Sequence, residues 1–322
     1  MKSKNKHFEF SKFTLSDIEK RTSQREGEVR IGETIQKEST KKYCILGIEE
    51  SVGPRANLGN AGAENGFEVF LSKFLNMQAN RFLSCEDVEV LGKISFVHTL
   101  EGTEHARTLV DELDFFVTDV LGVHLNENQI PIVIGGGHNN CYPILKHLSQ
   151  QKKEALNVVN LDPHADYRIL EGRHSGNGFS YAFKMSYLKK YLVLGLHESY
   201  NSEEMLGRLE KDGHLFTFFE DYLTGKSRFS DDFEKYKKEI DQQSYGIELD
   251  LDALVDMPSS AASPTGVTLE RARIYMRYFA ASKHVSYLHL PEGAPLNAIE
   301  NKKVGKALAY LVTDFLKVNR LL

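Results

Sequence analysis

The chain has 322 residues, of which 41% are apolar and 26% charged, enough apolar material for the core of one large α/β unit. Its net charge of −5 at pH 7 shows no basic excess that would indicate a nucleic-acid partner. Its 3 cysteines have no C-x-x-C spacing, which argues against a disulfide framework or a zinc ribbon and favours a reducing compartment.

The N-terminal segment is positively charged and lacks the apolar region of a secretory signal. No stretch of about 18 uncharged apolar residues indicates a membrane span. We therefore expect a cytoplasmic protein with neither a membrane nor a nucleic acid as partner. Residues 1–40 are rich in Lys and Glu, and we expect them to form an N-terminal arm or to pack at an edge.

Apolar or β-branched runs predict about eight strands, and several are apolar without alternation, as in strands covered on both faces. They lie at 43–48, 93–97, 130–136, 156–162, 191–196, 215–219, 245–252 and 285–290. Apolar residues at steps of three and four predict helices between most of them, as over 103–122 and 300–317. This alternation predicts a βαβ series around one mostly parallel sheet.

Four predicted strands end in polar residues, and ligands bind beyond the carboxyl ends of the strands in such sheets. Glycines 135–137 allow a sharp turn that brings His138 close to its neighbours. Residues two apart in an extended chain point the same way, so each of the other sets can line one pocket wall. These sets are Asp162, His164 and Asp166; Asp250 and Asp252; and Glu292.

The aspartates of these segments would bring about four negative charges into one cleft. A like pair at about 4 Å costs roughly 4 kcal/mol at an effective dielectric near 20, so the cluster must bind protons or cations. Two divalent ions would neutralise the carboxylates, and an oxygen-rich set with two imidazoles suits Mn²⁺ better than a thiolate-binding metal. Singly, each motif also fits a turn or a cap, but their order and position favour metal binding. The predicted ligands are His138, Asp162, His164, Asp166, Asp250 and Asp252.

Two other chemistries fit the sequence less well. Cys141 lies near His138 and His147, but the spacing is helical, and a buried apolar cysteine is the better interpretation. The "TGKS" segment at 224–227 has Glu220 where a phosphate-binding loop needs glycine.

Taken together, the polar segments resemble the ureohydrolase family of arginases, agmatinases and formiminoglutamases. The family pattern is G-G-(D/G)-H, D-A-H-x-D, S-x-D-x-D and E-x-N-P. It stands here as "GGGH" (135–138), "DPHAD" (162–166), "ELDLD" (248–252) and "EGAP" (292–295). The resemblance covers roughly residues 40 to 320. It implies a three-layer α/β/α fold, a single domain over 41–322, and a homo-oligomer, either a trimer or a hexamer.

The resemblance also implies two Mn²⁺ ions that activate a hydroxide for attack on the planar carbon of an amidine or guanidine. Asp166 would both bind metal and carry a proton to the leaving nitrogen, and Glu292 would hold the cationic nitrogens of the substrate. Phe179 stands where arginases carry a histidine, which argues against arginase. His174 could supply a proton-transfer group instead, or be a surface histidine. The other departures are Pro163 for Ala, Glu248 for Ser and Ala294 for Asn.

Arg168 resembles the D-x-R ending of this motif in formiminoglutamases, and an arginine fork suits a substrate carboxylate, although a surface arginine is the alternative. The resemblance therefore implies hydrolysis of N-formimino-L-glutamate to L-glutamate and formamide, a step of histidine degradation. Asn139, Ser175 and Asn177 would bind the amino-acid end of the substrate. The alternatives are an agmatinase or guanidino-acid ureohydrolase, and a catalytically decayed binding protein, which Glu248 and Ala294 keep open.

Overall fold

In the computed structural model, residues 2–4, 6–35 and 41–321 are described, and their strands form one ten-stranded sheet. In chain order the strands are β1 (Lys2–Lys4), β2 (Phe8–Lys12), β3 (Tyr43–Glu49), β4 (Val88–Phe96), β5 (Ile130–Ile134), β6 (Leu156–Leu161), β7 (Leu188–Leu196), β8 (Leu215–Phe218), β9 (Tyr245–Leu249) and β10 (Val285–Leu290).

Helices lie between most of the strands and cover both faces of the sheet. They are α1 (Leu15–Glu19), α2 (Val52–Ala56), α3 (Gly66–Phe74), α4 (Gly102–His124), α5 (Cys141–Lys152), α6 (Gly178–Lys184), α7 (Glu203–Lys211), α8 (Phe219–Thr224), α9 (Phe229–Ile240), α10 (Leu269–Ala280) and α11 (Ala298–Asn319). The helices predicted over 103–122 and 300–317 are confirmed as α4 and α11.

The strand order is β1-β2-β4-β3-β5-β10-β9-β6-β7-β8, and the strands from β3 to β10 are mutually parallel. All eight strands expected from the sequence are present, which confirms the mostly parallel sheet. The expectation of about eight strands missed β1 and β2, which pair antiparallel at one edge. The boundary predicted near residue 40 adjoins 36–40, which lie outside the described residues.

Alternate residues of each central strand enter two apolar cores, one on each side of the sheet. Val159 of β6 packs on the side of α3, α9, α10 and α11, whereas Val158 packs on the side of α4 and α5. This burial on both faces explains why the strands are apolar without alternation and confirms the three-layer α/β/α fold.

The four strands with polar ends are neighbours at the centre of the sheet, in the order β5-β10-β9-β6. Ile134 is in register with Leu290, and Leu249 with Leu161, so their carboxyl ends stop at the same level. The loops that follow therefore meet above the middle of one sheet edge. Within the described residues, no helix is long and apolar enough to cross a membrane.

Candidate metal centre

Four of the predicted ligands converge from three separate loops. The Nδ1 atom of His138, after β5, lies 3.1 Å from Asp162 Oδ2 and 2.9 Å from Asp166 Oδ2, both after β6. It lies 3.0 Å from Asp250 Oδ2, which follows β9. One ligand atom from each of these residues can be chosen so that all lie within 4.8 Å of one another.

The other two predicted ligands lie on the solvent side of this group. His164 Nδ1 is 3.7 Å from Asp162 Oδ1 and 3.8 Å from Asp252 Oδ2. The His164 ring stacks on Tyr200, with 5.2 Å between ring centroids. All six predicted ligand residues thus lie in one cluster, and Asp162 contacts both sides of it, with Oδ2 towards His138 and Oδ1 towards His164.

The donor set fits divalent cations. A six-coordinate ion with bonds of about 2.1 Å has ligand–ligand edges of about 3.0 Å, close to the spacing of the carboxylate oxygens around His138 Nδ1. The His138 side chain is completely buried, and neither of its ring nitrogens makes a hydrogen bond of good geometry to the described residues. A cation among these atoms would satisfy His138 Nδ1 and the carboxylate oxygens that face it, and the mixture of oxygen and imidazole ligands suits Mn²⁺.

Burial and mutual repulsion act on the carboxylates as the charge argument predicts. Burial, followed by the charge of Asp166, raises the pKa of Asp162 to about 6. Burial together with Asp252 and Asp162 raises the pKa of Asp250 well above its usual range. The cost of holding these like charges together is removed when cations bind between them.

Backbone conformations that side chains rarely adopt shape the loops. Gly135 and Gly136 have φ angles of 85° and 70°, which favour glycine and turn the chain towards His138. The buried Glu50 holds this turn, since its Oε1 accepts hydrogen bonds from Gly137 N and Asn140 Nδ2, both at 2.8 Å. Asp166 also has a positive φ, 47°, which places its carboxylate against His138.

Asn201 fixes the "DPHAD" loop from the outside. Its Oδ1 accepts a hydrogen bond from Ala165 N at 2.9 Å, and its Nδ2 donates to Pro163 O at 2.9 Å and to His197 O at 2.8 Å. Asn201 binds the carbonyl oxygen of Pro163. The missing N–H of this proline therefore does not weaken the contact between Asn201 and the loop.

A cavity of about 200 Å³ opens beside the cluster, a size suited to a small metabolite. Glu292 lies at the cavity wall, where its Oε1 accepts a hydrogen bond from His138 N at 2.7 Å and its buried Oε2 has no partner among the described residues. The predicted site residues that line the cavity are His164, Asp166, Arg168, Ser175, Asp250, Asp252 and Glu292.

Arg168 lies at the rim of this cavity with its side chain 56% exposed. Its Nε donates to Glu171 Oε1 at 3.1 Å. A half-exposed guanidinium beside a carboxylate-rich cavity is positioned to contact an anionic part of a bound molecule.

Three of the residues predicted for catalysis or substrate binding do not line the cavity. Asn139 and Asn177 are completely buried, and Asn177 Oδ1 accepts from Arg173 Nη1 at 2.7 Å while its Nδ2 donates to Gly172 O at 2.7 Å. His174 is equally buried, with Nδ1 accepting from Gly176 N at 3.1 Å and Nε2 facing Glu171 at 3.3 Å. These contacts hold the loop together, and a role for these three residues at the substrate stays a prediction.

Glu248, the departure from the usual serine, faces the cluster. Its Oε2 lies 2.7 Å from His289 Nδ1 and 3.4 Å from His138 Nε2, and its Oε1 accepts from the Tyr287 hydroxyl at 2.7 Å. Burial raises the pKa of Glu248, but His289 and His138 outweigh it and hold the pKa at about 2. Glu248 faces His138 because residue 248 shares its side of the strand with residue 250.

Comparison with known proteins identifies the family. Residues 51–317 match the family model described as the arginase family. This chain belongs to the arginase family. Within that family it is a hydrolase that acts on C–N bonds of linear amidine-type groups.

This arginase-family chain is similar to the formimidoylglutamase of Streptococcus pyogenes serotype M12, with 25% identity over 285 residues, 84% of this chain and 82% of the relative. Its fold is similar to that of the formimidoylglutamase of Bacillus subtilis, with a TM-score of 0.74, 17% identity, and 93% and 94% of the two chains covered. The formiminoglutamase of Trypanosoma cruzi, solved with Mn²⁺, gives a TM-score of 0.72 at 18% identity, over 91% of this chain and 98% of that one.

Proposed function

We propose that the protein hydrolyses N-formimino-L-glutamate to L-glutamate and formamide with two Mn²⁺ ions. The observation that carries this proposal is the position of Arg168 at the rim of a cavity whose floor is the carboxylate–imidazole cluster. A substrate with an amidine at one end and carboxylates at the other is complementary to both parts. The similarity to curated formimidoylglutamases supports the same substrate.

The proposed metal ligands are the six residues predicted from the sequence. His138 and the aspartates around its Nδ1 would hold one ion, and His164 and Asp252 would contribute to holding the second. Bound Mn²⁺ supplies Lewis-acid activation of a water near neutral pH. The ligands are His138, Asp162, His164, Asp166, Asp250 and Asp252.

The side chains around the cavity would orient the substrate and move one proton. Glu292, whose Oε2 is unpartnered, would hold the amidine nitrogens, since a carboxylate pairs with an amidinium. Arg168 and Ser175 would bind the carboxylates of the glutamate portion. Water would add its oxygen to the formimino carbon and lose a proton to Asp166. Asp166 would pass this proton to the glutamate nitrogen as the bond from the carbon to that nitrogen breaks, which releases formamide and glutamate.

A proton-transfer role for His174 stays a prediction, and its burial and two ring contacts support a structural role instead. An agmatinase is the less favourable alternative, because Arg168 at the rim would repel a second cationic group of the substrate. The convergence of the six ligand residues also speaks against a catalytically decayed binding protein. Trimeric or hexameric assembly likewise stays a prediction.

The test is a substrate screen of the purified protein in Mn²⁺. Formiminoglutamate, arginine, agmatine and guanidinobutyrate are supplied in turn, and formamide and urea are both measured. We expect formamide from formiminoglutamate and little or no urea from the guanidines. Urea production with a guanidine as the best substrate would replace the proposed substrate, and no turnover of any of the four would favour the binding protein.

A further inference from the structure

The ring of His138 lies between two groups of carboxylates. Its Nδ1 faces Asp162, Asp166 and Asp250, whereas its Nε2 lies 3.4 Å from Glu248 Oε2 on the opposite side. A histidine that binds a metal through Nδ1 carries its proton on Nε2, and this proton needs an acceptor in a buried site. Glu248 is the carboxylate that faces it.

Neighbouring side chains hold Glu248 firmly in this position. The Tyr287 hydroxyl donates to Oε1 at 2.7 Å, and His289 Nδ1 lies 2.7 Å from Oε2. All three residues are completely buried and come from the adjacent strands β9 and β10, where His289 and Glu248 are in register. Two contacts on a buried carboxylate leave it little freedom, so its distance to His138 is set by the sheet itself.

We propose that Glu248 is a positioning residue that orients His138 and, through its charge, strengthens His138 as a metal ligand. A serine at this position, as in the usual S-x-D-x-D pattern, could offer a hydroxyl but no charge. A carboxylate close to the second ring nitrogen attracts the proton there, which favours this tautomer and makes the other nitrogen a better electron donor to a metal. The inference rests on the metal centre of the proposed function.

The experiment compares Mn²⁺ affinity in the wild type and in Glu248→Gln, which keeps the size of the side chain and removes its charge. We expect the dissociation constant of the tighter site to rise about 10- to 100-fold in titration calorimetry of the folded protein. Unfolding of each protein in chelator is measured in parallel. A purely structural role would lower the unfolding temperature in chelator and leave Mn²⁺ affinity unchanged, and that result would overturn the inference.

Two further variants complete the test. Asp314→Asn neutralises another buried carboxylate, paired with Arg273 and Arg277 away from the cavity, and we expect it to leave Mn²⁺ affinity unchanged. Tyr287→Phe removes one contact to Glu248 and is expected to weaken affinity by about two- to tenfold, which provides the answer if Glu248→Gln does not fold. If the wild type binds Mn²⁺ and turns over formiminoglutamate but the folded variants keep the wild-type Mn²⁺ affinity, the inference about Glu248 is overturned and the proposed function stands. A wild type that binds no Mn²⁺ overturns the proposed function as well.

Discussion

Arg173 Nη2 donates a hydrogen bond to the backbone carbonyl of Asn139 at 3.0 Å, which ties the loop after β6 to the turn that carries His138. The same guanidinium makes a two-pronged contact with Asp114 of α4, with Nε at 2.8 Å from Oδ2 and Nη2 at 3.3 Å from Oδ1. Its carbon lies over the rings of Tyr142 and Tyr181 at 4.8 and 4.9 Å. One buried cation therefore joins a helix to two of the loops that form the metal centre.

The first prediction concerns this buried pair. Arg173→Met leaves Asp114 buried without its partner, so the free energy of unfolding should fall by about 3–5 kcal/mol in urea titrations. Adding Asp114→Asn to the same protein should recover part of the loss, because the uncompensated charge is removed. If Arg173→Met unfolds at the same urea concentration as the wild type, the Arg173–Asp114 pair is not needed to hold the loops.

A second prediction separates the metal ligands from the fold. Asp250→Asn and Asp166→Ala should abolish hydrolysis and lower the bound Mn²⁺ measured by elemental analysis. Circular dichroism should remain that of the wild type, because burial and the neighbouring aspartates raise the pKa of Asp250 and its charge does not stabilise the fold. Full activity in either variant would contradict the roles proposed for both residues.

A third prediction tests the contact of Arg168 with substrate. Arg168→Ala should raise KM for formiminoglutamate about 10- to 100-fold, the loss expected for a charged hydrogen bond, and change KM for a simple alkylformamidine without carboxylates far less. Arg25→Ala is the matched control, since Arg25 is also exposed and pairs with Glu28 three residues along the chain, outside the cavity. An equal rise in KM for both substrates would remove the argument for a carboxylate contact.

The fourth prediction is a pH dependence of stability. Burial lowers the pKa of His174 to about 4 and that of His214 to about 4, against about 6.5 in an unfolded chain. At these two histidines the unfolded state therefore binds more protons between these values, so their contribution to the free energy of unfolding should fall as pH drops from about 6.5 to 4. Buried carboxylates with raised pKa values act in the opposite direction, so the histidine contribution is obtained from the difference between a variant and the wild type. The loss is up to about 3 kcal/mol for each histidine.

This dependence can be measured in urea titrations at several pH values in that range. His214→Asn removes one of the two groups, so its free energy of unfolding should decline less steeply with acid than that of the wild type. Parallel curves for the two proteins would mean that His214 does not stay neutral in the folded chain.

The parallel sheet could be predicted from the sequence, because its strands are buried on both faces and therefore form continuous apolar runs. The convergence of His138, Asp162 and Asp250 could also be predicted, since the carboxyl ends of the strands in such a sheet lie at one edge. The strand at Phe8–Lys12 was missed because it lies in a charged segment and pairs antiparallel at the sheet edge.

The loop side chains could not be placed from sequence, because no periodicity fixes their direction outside a strand or helix. Asn139, His174 and Asn177 are polar residues near metal-binding motifs, yet their contacts hold loops together. Glu248 differs, because alternation along β9 already places it on the same side as Asp250. The structural roles of Arg173 and Glu50 could not be predicted from the sequence. Charged residues are rarely fully buried, and the partners of these two are distant in sequence.

The strand order has a consequence for the time at which metal can be acquired. His138 follows β5, but β5 pairs with β10, whose end carries Glu292, and β9 and β6 lie beyond it. A chain still emerging from the ribosome with β10 unmade therefore has its first ligand separated from the others by a missing central strand. We therefore expect cation capture by the complete ligand set to follow the synthesis and pairing of β10, so that ion loading reports completion of the central sheet and does not initiate it.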